Sequence, residues 1–453
     1  MLSLTIHVLF IPTNNNYSVI GLDLWNIKLA IMIKKIKTFL HKFRLIIFFL
    51  VVSLVSLRWS ENAVVLKNGY WRATIERPDG HEIVFNFETK DSLGKKIIYV
   101  INGKEHLLVD SIQIVNDSVF IQMPFFESGF RAKIMNNGNL EGTWVKYFGY
   151  RVQILPFKAE YHTKERFKIS APPVSNISGR WETKFQGKNK VLTMPAEFEQ
   201  DGSYVTGTFL DPTGDTRFLQ GVVSGDSLTL STFDGANAYL VTAKIDNDNK
   251  ISGGKFYSGA KGDEDWDAVK NENAAISSGF SETKIKPNSG KLNFRFRDSK
   301  DGHWVSIDDK RYKGKVVVIQ ILGSWCPNCM DETKFLSDYY HKNHQRGIEI
   351  IGLAYERTSD FKNSQEALAP FTKRLHVQYP VLITGAAVSD SLMTQKTLPQ
   401  LEKINAFPTT IFVDKKGNIR KIDGGFSGPA TGEHYTEFKK EFNEIIDRLL
   451  AEK

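Results

Sequence analysis

From residue 63 to about residue 273, polar and apolar positions alternate in short runs. Turn signals such as Pro78-Asp79-Gly80, Asn136-Asn137-Gly138, Asp201-Gly202 and Asp234-Gly235 punctuate them. Alternation of period two without a helical repeat predicts all-β structure. The pattern also recurs. Gly69-Tyr70-Trp71-Arg72 returns as Gly179-Arg180-Trp181-Glu182, Asp117-Ser118-Val119-Phe120-Ile121 as Asp226-Ser227-Leu228-Thr229-Leu230, and Ala132-Lys133-Ile134 as Ala243-Lys244-Ile245. The offsets are 110, 109 and 111 residues, which predicts a duplicated unit with copies at 63–170 and 171–273. In the second copy the strand-like runs are 179–185, 192–199, 204–210, 216–223, 227–233, 238–245, 250–257 and 265–270.

Sequential antiparallel strands of this number suit an up-and-down barrel, which removes exposed sheet edges. The Gly-x-Trp opening and the glycine-rich later strands loosely resemble the small barrels of the lipocalin/avidin type. That resemblance brings over no ligand-binding residues. Trp71 and Trp181 are expected to be buried near the start of each first strand. A structural or docking role is expected for these units, because neither holds a cysteine, a metal-spaced histidine pair or a phosphate loop.

Residues 274–291 are polar and read as a linker. Beyond them the period changes. Residues 316–322 and 348–354 are continuous apolar runs, as in strands buried on both faces. Helical periodicity runs through Leu368, Phe371 and Leu375, and again through Phe438, Phe442, Ile445, Ile446 and Leu449. A hairpin joins 409–413 to 419–423. The segment 389–401 could be a helix or a lid. Strands alternating with helices predict an α/β domain over 292–453, so the whole chain is multidomain.

The chain holds two cysteines in 453 residues, Cys326 and Cys329, directly after the first apolar run. A buried strand leading through Cys-x-x-Cys into a helix is the sequence form of a thioredoxin-type redox site. Cys326 would lie at the helix N-terminus, where free N–H groups and the helix dipole favour a thiolate. Cys329, one turn further in, would close the disulfide. The competing readings are a structural disulfide and half a zinc site. A loop this short constrains the unfolded chain little. Zinc usually takes four Cys or His ligands, and no second cysteine pair exists.

The formal charge of +8 changes little about this picture. Residues 1–60 hold seven Lys/Arg and one acid, leaving +2 for the remaining 393 residues. A basic cluster at 34–44 precedes the uncharged run 45–57, the form of a secretory signal or an uncleaved membrane anchor within a targeting segment 1–62. Translation is expected to start near Met32. Nucleic acid is not an expected partner.

Residues 292–453 resemble the exported thioredoxin-like thiol–disulfide oxidoreductases of the TlpA/ResA type. The resemblance is carried by Tyr312-Lys313-Gly314-Lys315, Trp325-Cys326-Pro327-Asn328-Cys329, Glu332, Phe407-Pro408-Thr409-Thr410 and the 414–417 hairpin turn. It implies a thioredoxin-like fold, a cis Pro408 beside the redox pair, and substrate contacts from Trp325, Pro327, Phe407 and Pro408. A cis proline there would turn the Phe407 backbone toward an extended partner chain. Where thioredoxin has a buried acid, this chain has Gln320. The exported relatives place a glutamate at the end of the next strand, and Glu356 matches it as general base for Cys329.

The expected activity is therefore disulfide reduction in exported proteins in the periplasm or cell envelope, including apocytochrome c thiols. It would use the Cys326–Cys329 disulfide and no added cofactor or metal, with a membrane electron-donating reductase as partner. The alternatives are a thiol peroxidase, and a binding protein whose β units carry the main role.

Overall fold

The computed structural model describes residues 32–37, 39, 65–148, 151–187, 191–275 and 283–453. The chain forms two compact units, residues 1–63 and 64–453. In the first, residues 32–37 are helical, and the apolar run 45–57 lies outside the described residues. Among the described residues no helix is long and apolar enough to cross a membrane.

The second unit opens with a nine-stranded sheet: β1 (Gly69–Glu76), β2 (Glu82–Ser92), β3 (Lys95–Asn102), β4 (Glu105–Val109), β5 (Ser111–Val115), β6 (Ser118–Gln122), β7 (Ser128–Ile134), β8 (Leu140–Phe148) and β9 (Arg151–Tyr161). β9 returns to β1 with Ala73 opposite Ala159, so the ends of the hydrogen-bonded order are β4 and β5. The second sheet comprises β10 (Gly179–Gln186), β11 (Val191–Asp201), β12 (Tyr204–Asp211), β13 (Gly214–Asp215), β14 (Leu219–Ser224), β15 (Ser227–Phe233), β16 (Ala238–Asn247), β17 (Lys250–Ser258) and β18 (Gly262–Lys270). Here β11 pairs with both β10 and β12, and β10 with β18, so the barrel closes; β13 folds back on the end of β12.

The repeat read from the sequence is thus two barrel-like sheets. Trp71 and Trp181 occupy equivalent places in β1 and β10, both fully buried. Their indole N–H groups are satisfied differently, by Thr89 Oγ1 at 3.0 Å and by the Ile177 carbonyl at 2.8 Å. Aromatic side chains fill the interiors, among them Phe85, Phe130 and Phe157 in one and Phe185, Phe209 and Trp266 in the other. The two barrels share packing. Phe233 of β15 stacks on Phe85 of β2 at 4.4 Å, and the buried Arg166 donates to Asn86 Oδ1 and the Ser231 carbonyl, each at 3.0 Å.

The C-terminal α/β part contains β19 (Arg295–Asp298), β20 (Trp304–Ser306), β21 (Val316–Leu322), α1 (Pro327–Asn343), β22 (Ile348–Ala354), α2 (Phe361–Arg374), β23 (Val381–Ile383), α3 (Met393–Thr397), β24 (Thr409–Val413), β25 (Ile419–Gly424) and α4 (Glu433–Ala451). The sheet order is β20-β19-β23-β22-β21-β24-β25, with β21, β22 and β23 parallel and the outer strands antiparallel. All seven residues of the central strand β21 are buried, which is why that run carries no alternation. This is a thioredoxin-like fold.

Two stretches are more firmly built in than their composition suggests. Part of the expected linker attaches to the α/β part: Ile285 bridges Leu401, and Lys286 N–H donates to the Gln400 carbonyl at 2.8 Å. Segment 389–401, open between helix and lid, contains the short helix α3. Thr397 bonds the Tyr355 hydroxyl at 2.6 Å, and Leu398 and Leu401 are fully buried, so this segment is core.

A redox pair at the N-terminus of helix α1

Strand β21 ends at Leu322, and the turn 323–326 delivers Cys326 to the N-cap of α1. Pro327 takes the first helical position, where its missing N–H is no loss. The Cys329 N–H points at Cys326 Sγ, 3.2 Å away, so the first sulfur receives a backbone donor as well as the helix dipole. Cys326 and Cys329 are joined as a disulfide, with Cα atoms 5.2 Å apart. Cys329 is fully buried, and Cys326 is only 5% exposed. The expected exposed cysteine is thus the more accessible of the two by a small margin.

The other anticipated residues gather around this turn. Phe407-Pro408 is a cis peptide bond, and the Phe407 carbonyl lies 3.5 Å from Cys326 Sγ. The Trp325 ring leans on Phe407 at 5.3 Å, and its N–H donates to the Tyr355 carbonyl at 2.9 Å. Glu356, buried at the end of β22, has both carboxylate oxygens on Ser324: Oε1 accepts from its N–H at 2.8 Å and Oε2 from its hydroxyl at 2.7 Å. Burial raises its pKa, and the nearby Glu127 adds to the rise. Its carboxylate holds the turn that carries Cys326.

The carboxylate one helical turn beyond Cys329 is Glu332, only 1% exposed. Its Oε2 accepts from Gln320 Nε2 at 2.8 Å and its Oε1 from Thr410 Oγ1 at 2.6 Å. The same Gln320 amide reaches the Cys329 carbonyl at 3.4 Å. Burial pushes the Glu332 pKa up to about 7, against the pull of its two hydrogen bonds. Sequence reasoning used Glu332 as a family signature without a role. The available signal was its spacing, three residues after a buried cysteine on the inner face of a helix.

A second group was missed altogether, because it comes from the barrels. Asn328, inside the motif, donates its side-chain amide to the Thr213 carbonyl at 3.3 Å. Phe125 and Phe126, at the β6–β7 turn, and Ala236, at the β15–β16 turn, belong to the same buried apolar cluster as both cysteines. The Arg357 guanidinium sits 5.4 Å from the Trp325 ring and 5.8 Å from that of Phe148 at the end of β8. The β units expected to be separate modules therefore touch the redox motif.

Residues 286–434 match the Redoxin family model. Over 134 residues, 30% of this chain and 67% of the relative, the chain is 28% identical to the thiol-disulfide oxidoreductase ResA of Bacillus thuringiensis. For the ResA of Bacillus subtilis the figures are 24% over 141 residues, 31% of this chain and 69% of that protein. Solved structures with similarity include StoA from Bacillus subtilis (19% identity, TM-score 0.24, 33% of this chain and 98% of that one). Another is a thiol-disulfide oxidoreductase from Bacteroides fragilis (20% identity, TM-score 0.24, 34% of this chain and 99% of that one). With its cysteine pair at the head of α1, the C-terminal third of this chain carries a thioredoxin-like domain that matches the Redoxin model and is similar to the thiol–disulfide oxidoreductases.

Proposed function

We propose that the chain is a dithiol–disulfide oxidoreductase that reduces disulfides of exported proteins, facing the periplasm. The observation that supports it most is the helix-capping Cys326 paired with the buried Cys329 above a carboxyl whose pKa lies near neutrality. In the reduced state the Cys326 thiolate attacks one sulfur of a client disulfide, and the client's other sulfur leaves as a thiolate. Cys329 gives up its proton, and its thiolate attacks Cys326 Sγ. The client leaves as a dithiol after taking up two protons, and Cys326–Cys329 is oxidised. Glu332, one helical turn from Cys329, accepts the Cys329 proton. Glu356 fixes the Cys326 turn through Ser324. Trp325, Pro327, Phe407 and Pro408 form the surface the client chain meets. A membrane electron-donating protein returns two electrons to the pair.

Trapping tests this reading. In the full chain, Cys329→Ala should accumulate mixed disulfides through Cys326 with exported clients, and Cys326→Ser should accumulate none. Faster alkylation of Cys329 than of Cys326 in the reduced protein at neutral pH would reverse the assigned roles.

A further inference from the structure

The loop 211–217 of the second barrel lies against the redox motif. Besides the Asn328–Thr213 bond, the fit is close enough to need glycine on both sides. Gly214 has φ +143°, and a Cβ there would collide with the Asn328 amide and stand 2.7 Å from the Phe426 carbonyl. A Cβ on Gly425 would collide with the Pro212 carbonyl, and one on Gly428 would stand 2.6 Å from Asp215 Oδ2. At Gly425 backbone meets backbone, and Gly214 faces both the Asn328 side chain and the Phe426 carbonyl, at positive φ in each case.

The loop is also anchored. Arg217, fully buried, pairs with Asp331 of α1, with Glu105 of β4 and, at 3.4 Å, with Asp234 of the β15–β16 turn. Asp211 Oδ1 accepts from both the N–H and the hydroxyl of Thr213, each at 2.6 Å, and sets the shape of the turn. The β6–β7 turn packs Phe125 against Phe371 of α2, with ring centroids 6.2 Å apart. Beside these contacts Cys326 is 5% exposed, its Sγ 3.5 Å from the Phe407 carbonyl.

We propose that loop 211–217 is a specificity element of the redox site, admitting small disulfides and holding back bulky protein disulfides until it lifts from Asn328. The inference rests on the proposed role of Cys326 as nucleophile. The exchange chemistry is unaltered: Cys326 displaces one client sulfur, Cys329 displaces the client, and two electrons pass to the client with two protons. The loop governs only which disulfide comes within reach of Cys326 Sγ. If the loop is lifted about one tenth of the time, the rate with a bulky client falls about tenfold below that of the uncapped site.

The test uses the reduced full-length chain and measures single-turnover oxidation by glutathione disulfide and by insulin. Gly214→Ala cannot seat against Asn328, and Asp211→Ala loosens the turn from a partly buried position. Both should raise the insulin rate about tenfold while the glutathione disulfide rate stays unchanged. Thermal melting identifies which variants fold, and Asp211→Ala decides the matter if Gly214→Ala does not. An unchanged insulin-to-glutathione rate ratio in the folded variant overturns the specificity role. If the wild-type chain reacts with neither disulfide, the functional reading itself fails instead.

Discussion

Glu332 carries the sharpest consequence at the scale of one residue. Its folded pKa of about 7 lies above the ordinary 4.5, so burial favours the protonated form. The stability this contributes is fully present below about pH 4.5 and is lost as pH rises through 7, at about 1.4 kcal/mol per pH unit. Glu332→Gln should therefore flatten the pH dependence of urea unfolding between pH 5 and 7; an unaltered slope would assign the titration to another group. In single-turnover kinetics the same variant should slow the resolving step about 100-fold and remove an inflection near neutrality, while mixed-disulfide formation by Cys326 persists. Retention of that inflection would remove Glu332 from the proton path. The cysteines and Pro408 were readable in sequence because their chemistry is local to a motif. The setting of Glu332 was not, since Gln320 and Thr410 reach the helix residue from two strands distant in sequence.

Among elements, the strands of the second barrel follow the alternating pattern closely: the runs 227–233 and 250–257 became β15 (Ser227–Phe233) and β17 (Lys250–Ser258). The pattern failed where chain leaves the barrel to meet another element. The run 216–223 begins instead as the anchored loop and turns into strand only at Leu219. The β6–β7 turn is the same case. Phe126 and Glu127 hold φ values of 68° and 44°, a conformation that costs non-glycine residues roughly 1–2 kcal/mol each. Burial of Phe125 and Phe126 against the α/β part offsets that strain. Phe125→Ala should lower stability by about 3 kcal/mol, read as a fall in the urea midpoint. An unshifted midpoint would mean the hairpin tip contributes nothing to the packing.

For the whole molecule, Arg217 is the point where both barrels and the redox helix meet, through Glu105, Asp234 and Asp331. Arg217→Met leaves three carboxylates without their cation and should cost about 3–5 kcal/mol by thermal or urea unfolding. A loss below about 1 kcal/mol, the range of exposed pairs, would show that water reaches the cluster. None of this was visible as a pattern, because one arginine between Thr216 and Phe218 reads as an ordinary loop charge. Order along the chain then gives the cover over the cysteines a temporal meaning. Synthesis runs from the N-terminus, and domains tend to fold as they emerge. Both barrels, with loop 211–217, precede Cys326 and Cys329 along the chain and so reach the folding compartment first. The thiols are thus born beside a wall already able to receive them, and their brief life as unshielded nucleophiles is shortened by the sequence in which the parts are assembled.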